Sequence, residues 1–159
     1  MTPIGASASW HWEAYDDAWV EVDGRRMKSV TGGGHFGGGM FINAYDMARF
    51  GYLFLQDGDW DGRQLVSKKW IGMAKSPGPA NNGYGFCNWF LNNPAKTGDE
   101  TPSSLPFPSA PRSSVTFQGN GVNVIYLDWE HDLLMVVRWI DTNRNLDQLI
   151  GKVIAAIRP

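Results

Sequence analysis

The 159 residues are the size of one domain, and their 43% apolar share is enough to build a core, which excludes a disordered tail. Fourteen basic against sixteen acidic side chains give a formal net charge of -2 with no run of like charges, which argues against nucleic acid as a partner. No stretch approaches the ~18 uninterrupted apolar residues of a membrane span, and no signal-peptide pattern opens the sequence, so the chain reads as soluble with its compartment undetermined.

The first thirty residues, with Trp10, Trp12, Tyr15 and Trp19, show no helical period and read as short strands or irregular structure. Val20 to Val22, the Asp23-Gly24 turn signal and Arg26 to Thr31 predict a hairpin. A glycine-rich loop follows, from Gly32 to Gly39, with His35 and Phe36 inside it. Asn43 followed by Asp46 predicts a helix start, and Met47, Phe50, Gly51, Phe54 and Leu55 share one face up to a stop near Gln56. A second Asp-Gly pair, Asp61-Gly62, precedes Leu65 and Val66. Ser67 then caps a second helix carrying Trp70, Ile71 and Met73.

Tyr84 to Leu91 has strand composition and is expected as a strand, bracketed by two polar segments. The longer of these, Asn92 to Arg112, reads as a surface excursion. Cys87 has no partner for an internal disulfide and is expected as a buried small hydrophobe. Ser114 to Gln118, Val122 to Leu127 and Leu133 to Ile140 are rich in β-branched and aromatic residues and read as antiparallel neighbours. Leu133 to Val137 is apolar on both alternations, which predicts a strand covered on both faces. From about Asn145, Leu146, Leu149, Ile150, Val153, Ile154 and Ile157 form a continuous helical stripe. One helix layer on each face of the sheet gives a three-layer α/β sandwich on an antiparallel sheet.

The order of these motifs resembles a known family. The stretch from Gly38-Gly39 through Asn43 to Asp46-Met47-Ala48-Arg49-Phe50-Gly51 resembles the glycine pair, helix cap and Asp-x-Ala-Arg-Phe helix of serine hydrolases of the class C β-lactamase type, which include penicillin-binding-protein-like esterases. Asp57 to Ser67 resembles the loop into that family's next helix, Tyr84-Gly85-Phe86 its Tyr-Gly-Leu/Phe strand, and Gly119 to Leu133 its last hairpin. Trp129 replaces the usual proline of that hairpin turn. Together these matches span about residues 32 to 158. The resemblance implies a β-lactamase/transpeptidase-like fold and, in the complete protein, acyl hydrolysis of an ester, amide or β-lactam through a serine acyl-enzyme.

In that family the nucleophile belongs to a Ser-x-x-Lys motif, a Tyr-x-Asn motif supplies a second acid or base, and a Lys-Thr-Gly or His-x-Gly element contacts substrate and the oxyanion. No serine here has lysine three positions on, and no tyrosine has asparagine or serine two positions on. The resemblance therefore implies that residues 1 to 159 form a single partial domain, the C-terminal portion, with no catalytic residue of its own. Lys96-Thr97-Gly98 is a literal match in a polar loop with no strand after it. Family order instead puts the equivalent position at Phe117-Gln118-Gly119, where the cation is lost.

Gln118, Gly119, Asn120 and Gly121 are then the candidate substrate or oxyanion contacts, against the alternative of a strand entry without chemistry. His35 is either a cleft residue or a loop histidine bonded to nearby backbone. The glycine run is neither a dinucleotide fingerprint nor an α/β-hydrolase oxyanion loop, since no βαβ unit and no Gly-x-Ser-x-Gly accompany it. The three histidines have no ligand spacing, so neither a metal nor another cofactor is expected.

Two functions stay open. One is a hydrolase portion, inactive alone, whose complete form takes a small-molecule or peptidoglycan-like substrate. The other is a non-catalytic module binding sugar or peptide through exposed aromatics. An unpaired sheet edge predicts self-association or pairing with the missing N-terminal portion.

Overall fold

A computed structural model describes residues 1–13, 19–28, 39–93, 105–119 and 121–157. In chain order the strands and helices are β1 (His11–Glu13), β2 (Trp19–Val22), β3 (Arg25–Lys28), β4 (Gly39–Phe41), α1 (Ala44–Leu55), β5 (Asp59–Trp60), β6 (Arg63–Gln64), α2 (Lys68–Ala74), β7 (Trp89–Phe90), β8 (Val115–Gly119), β9 (Asn123–Asp128), β10 (Leu133–Val137) and α3 (Asn143–Ile157). The main sheet is antiparallel in the order β10-β9-β8-β7, and β1 pairs with β4 in a separate two-stranded ribbon.

Strand β9 organises the layers. Its Ile125 and Leu127 pack with Met47 and Phe54 of α1, Ile71 of α2 and Val115, while Val124 and Tyr126 pack with Leu146, Ile150 and Ile154 of α3. Alternate side chains of a strand point to opposite faces, so this division requires a helix layer on each side. The fold is a three-layer α/β sandwich on an antiparallel sheet. Burying each Val, Leu or Ile side chain contributes roughly 1.5–3 kcal/mol, so Val124, Ile125 and Leu127 make β9 a main source of core stability. All five residues of β10 are half-buried, Leu134 and Val136 toward one cluster and Leu133, Met135 and Val137 toward the other.

Local chemistry sets the boundaries. Asn43 caps α1, its Oδ1 accepting the Asp46 amide at 2.9 Å, and Ser67 caps α2 by accepting the Trp70 amide at 3.2 Å. Asp23-Gly24 and Asp61-Gly62 have positive φ at both positions and join β2 to β3 and β5 to β6, as type I′ hairpins require. The fully buried Asp46 carboxylate accepts from the Ser7 amide at 3.0 Å, the Ser7 hydroxyl at 2.5 Å and Asn43 Nδ2 at 2.8 Å, with Arg49 Nη1 at 3.2 Å. This carboxylate is a structural anchor that ties the N-terminal segment to α1. At Gly51 the helix comes closest to the sheet: a Cβ there would lie 2.5 Å from Leu134 Cδ1 and 2.7 Å from Ile125 Cγ2.

Four expectations need correction. The expected strand from Tyr84 to Leu91 is mostly a turn, because Gly85 donates to the Asn88 carbonyl and buried Asn88 donates to the Ala74 carbonyl; only Tyr84 and Trp89–Phe90 pair. Within that turn Cys87 has φ +62° and its thiol is exposed, so it is not a buried hydrophobe.

The strand expected from Leu133 to Ile140 ends at Val137, since Trp139 adopts φ +61°. The excursion after Asn92 returns to the core. Buried Asn92 donates to the Phe107 and Ala110 carbonyls and accepts the Phe107 amide, so Phe107 and Ala110 pack against α3. The Lys96-Thr97-Gly98 triplet lies outside the described residues. Among the described residues no helix is long and apolar enough to cross a membrane.

Two outcomes follow from this packing. Gly51→Ala gains up to about 1 kcal/mol of helix propensity but overpacks the interface at about 1–3 kcal/mol, because the Ile125 branch is buried and cannot retreat. Its urea midpoint is expected to fall, and an equal or higher midpoint would contradict the close approach.

Hydrogen bonds from Ser7, its hydroxyl first and then its amide, hold the Asp46 carboxyl below its ordinary value of 3.8 against the opposing effect of burial. A folded-state value below the unfolded one stabilises the fold above that ordinary value, and the contribution is lost as pH falls through the lower folded value. Asp46→Asn should therefore melt well below the parent at neutral pH, with the gap closing as pH drops below 3.8; a gap independent of pH would refute the assignment.

Candidate functional site

The end of β8 faces β4 and the end of β10 across a cavity of about 660 Å³. Its polar wall consists of Gln118, Gly119, Asn123 and Arg138, and Gly39 and Phe41 stand opposite. Met47, Phe50, Phe117 and Ile125 make part of the wall apolar. Strand β7 pairs only with Val115 and Thr116 of β8, so the segment Phe117-Gln118-Gly119 has no described strand beside it on that flank. The part of β8 that borders the cavity is thus paired with β9 on one flank and has no described strand on the other.

Several contacts fix the walls. Gln118 Nε2 donates to Thr116 Oγ1 at 2.9 Å along its own strand. Arg138 Nε donates to Asn123 Oδ1 at 2.9 Å and Nη1 to the Ile42 carbonyl at 3.4 Å, joining β9 and β10 to the β4–α1 junction. On β4, Phe41 is stacked on His11 of β1 with ring centroids 5.1 Å apart. Gly121, at φ +74°, has no room for a side chain: a Cβ would lie 2.5 Å from Trp139 Cζ3. Trp139 therefore rests against the β8–β9 turn, and this fixes the segment from which Arg138 projects.

A second cavity, of about 710 Å³, lies on the other side of Phe50 and Phe117, which line both. Phe54, Trp70 and Phe86 give it an apolar lining, with Ser67 and Cys87 at its rim. Ser67 Oγ is engaged as the α2 cap and has no base beside it among the described residues.

A Ser, Tyr, Asp and His chain also runs through the core: Ser114 Oγ lies 3.1 Å from Tyr126 Oη, which donates to Asp128 Oδ2 at 3.2 Å, and His131 Nδ1 meets that oxygen at 2.7 Å. Burial pushes the Tyr126 phenol far above its usual range and keeps it neutral. Ser114 is fully buried and lines neither of these cavities, so this network holds the hairpin together.

Of the sequence candidates, Gln118 and Gly119 come together on the cavity wall, and Gly121 supports the turn beneath Trp139. Asn120 and His35 lie outside the described residues. Arg49 is an ion-pair partner of Asp46 on α1. Asn123 and Arg138 were not among the candidates. Arg138 does carry a sequence signal, as the lone charge in the run from Leu133 to Ile140.

The exposed aromatics are partly occupied. The Trp19 ring carries Arg26 at 4.7 Å and Lys28 at 6.0 Å, and Trp89 meets Tyr84 edge-on at 4.7 Å.

The sequence matches no family model and no curated protein. Among solved structures, the chain is similar to a protein of Bacillus anthracis provisionally named a 6-aminohexanoate-dimer hydrolase, with a TM-score of 0.51 and 18% identity over 75% of this chain. The chain spans 29% of the length of that structure. At this identity the likeness shows the fold alone, a β-lactamase/transpeptidase-like α/β sandwich.

Proposed function

We propose that this chain is the substrate-side portion of a serine acyl hydrolase of the β-lactamase-related type, acting on an ester, amide or β-lactam when joined by a portion that carries Ser-x-x-Lys. The observation that carries this reading is the cavity at the end of β8, on the flank with no described strand, which Gln118 and Gly119 line together with the Gly39–Ile42 segment. In the resembled family that strand end contacts substrate and oxyanion, and a backbone flank with no strand beside it leaves polar groups for such a role. The hydrolase fold of the longer neighbour supports the same reading. The substrate is then a small molecule or a peptidoglycan-like acyl compound. Among the described residues Ser67 Oγ is engaged as a helix cap and Ser114 is fully buried, so the chain alone is expected to be inactive.

The isolated chain is expected to leave p-nitrophenyl acetate and nitrocefin unhydrolysed and to take up no fluorophosphonate. Co-expression with a Ser-x-x-Lys polypeptide encoded ahead of it should produce hydrolysis that disappears when that serine becomes alanine. Labelling of a serine within residues 1–159, or hydrolysis that survives the alanine change, would overturn the proposal.

The sheet edge makes a second expectation. Strand β10 pairs only with β9 among the described strands, and its apolar residues are half-buried. An unpaired apolar edge favours strand pairing with another chain, either a second copy or the complementary portion. Sedimentation of the isolated chain should show dimers or larger species at high concentration, and a monomer throughout would count against an open edge.

A further inference from the structure

The open edge of the main sheet and one flank of α1 face the same way. Gly51 lies over Leu134 of β10 and Ile125 of β9, so α1 is seated above the junction of these two strands. Phe50 and Phe54 both meet Phe117, which turns one flank of the helix toward β8. At 3.6 residues per turn, Tyr45, Ala48 and Tyr52 fall on the other flank, above the β10 side. Tyr45 is 80% and Tyr52 46% exposed, so this flank is left uncovered together with the strand edge below it.

The edge is also self-complementary. Asp132 stands immediately before the apolar run Leu133 to Val137 and Arg138 immediately after it. Two antiparallel β10 strands related by a two-fold axis at Met135 set Leu133 opposite Val137 and Leu134 opposite Val136, the register that pairs all five residues. That register also sets Asp132 opposite Arg138, twice. Both residues are exposed; among the described residues Asp132 forms no ion pair, and Arg138 bonds to two neutral oxygens.

We infer that the partner at this edge is a second copy of the chain, paired β10 to β10 about a two-fold axis at Met135, with the Tyr45, Ala48 and Tyr52 flanks of the two α1 helices packed together. Helix spacing agrees with this arrangement. With α1 seated between β9 and β10, the second α1 lies two strand spacings away, about 10 Å, which is the distance at which helices pack. The inference chooses between the two partners considered above for this edge, and it rests on the edge and the helix flank, not on the acyl-hydrolase reading.

A disulfide reports the register. In a Cys87→Ser background, which removes the exposed native thiol, Met135→Cys sets one sulfur opposite its own counterpart, within the roughly 4.4–6.8 Å Cα separation that a disulfide spans. Leu134→Cys instead faces Val136 of the second copy, and its own counterpart lies two residues further along, beyond that reach. Mild oxidation is expected to give a covalent dimer with Met135→Cys and none with Leu134→Cys alone, and a mixture of Leu134→Cys with Val136→Cys chains should cross-link again.

Sedimentation of the whole chain reads the helix flank and the charges. Tyr52→Glu brings two carboxylates into the helix contact and is expected to weaken dimerisation at least about tenfold. Asp132→Asn keeps a residue suited to the φ of +48° there, removes both ion pairs and should weaken it about threefold, a difference that fades as salt is raised. A monomer at every concentration, equal cross-linking of Met135→Cys and Leu134→Cys, or a dimer indifferent to both Tyr52→Glu and Asp132→Asn would overturn the inference. So would a chain that pairs along this edge only with the co-expressed Ser-x-x-Lys polypeptide, which would give the edge to that portion and leave the acyl-hydrolase reading standing. A dimer that forms as described, while the co-expressed pair hydrolyses nothing, retains the interface and removes only that reading.

Discussion

The fold depends on one strand that meets no solvent on either face. From Val124 to Asp128 every residue of β9 is buried, and a strand so covered needs apolar partners in two directions. On one side this brings α1 so near the sheet that position 51 has space only for glycine. On the other it seats α3 through Leu146, Ile150 and Ile154 and draws Phe107 and Ala110 in from the long excursion. The strand ends on a buried carboxylate that is fully engaged. Asp128 accepts the amides of Glu130 and His131 as well as Tyr126 Oη, and so closes the turn into β10. Trp129, which stands where the resembled family has proline, lies under the ammonium of Lys75 at 4.4 Å and so ties that turn to the end of α2.

What could be read from the sequence is what local chemistry controls. Asn43 and Ser67 cap the helices they were expected to cap, because a cap needs only a side-chain oxygen and an amide three residues on. The Asp-Gly pairs turn the chain because few other residues accept positive φ at two successive positions. The stripe from Leu146 to Ile154 and the two-sided apolarity of β10 gave the layers, since periodicity reports burial directly. Asn88 and Asn92 were invisible for the opposite reason. Each is buried because of a carbonyl fourteen or more residues away, and nothing near either residue in the chain announces that partner. Cys87 was misplaced by composition: the aromatic residues around it suit a strand, but the Gly85 to Asn88 hydrogen bond turns the chain and exposes the thiol.

The two flanks of the main sheet differ in how they are left open. Strand β7 is two residues long and stops opposite Thr116, so the flank beside it exposes a short stretch of β8 bordered by a cavity. Strand β10 presents its whole length, with apolar side chains directed to both layers. A short stretch with no described strand on one flank, beside a cavity of mixed lining, suits a small ligand, whereas a longer apolar edge suits another strand. The two flanks therefore divide the work proposed for the chain, one facing substrate and the other facing polypeptide.

The candidate site was legible at its strand and not at its charge. Motif order directed attention to Phe117-Gln118-Gly119, and Gln118 and Gly119 do line the cavity, but a search confined to that strand finds no cation there. Antiparallel pairing changes the accounting. Gln118 is opposite Val124, and Val124 is opposite Val137, so a residue just beyond β10 lies two strands from Gln118 although twenty positions separate them in sequence. Arg138 occupies that place, directly after the last residue of β10 and directly before the left-handed turn at Trp139, which is held against Gly121. Antiparallel pairing thus brings a positive charge to the cavity wall from the second neighbour across the sheet. Motif searches along the chain miss such a residue, because the register that places it exists only in the folded sheet.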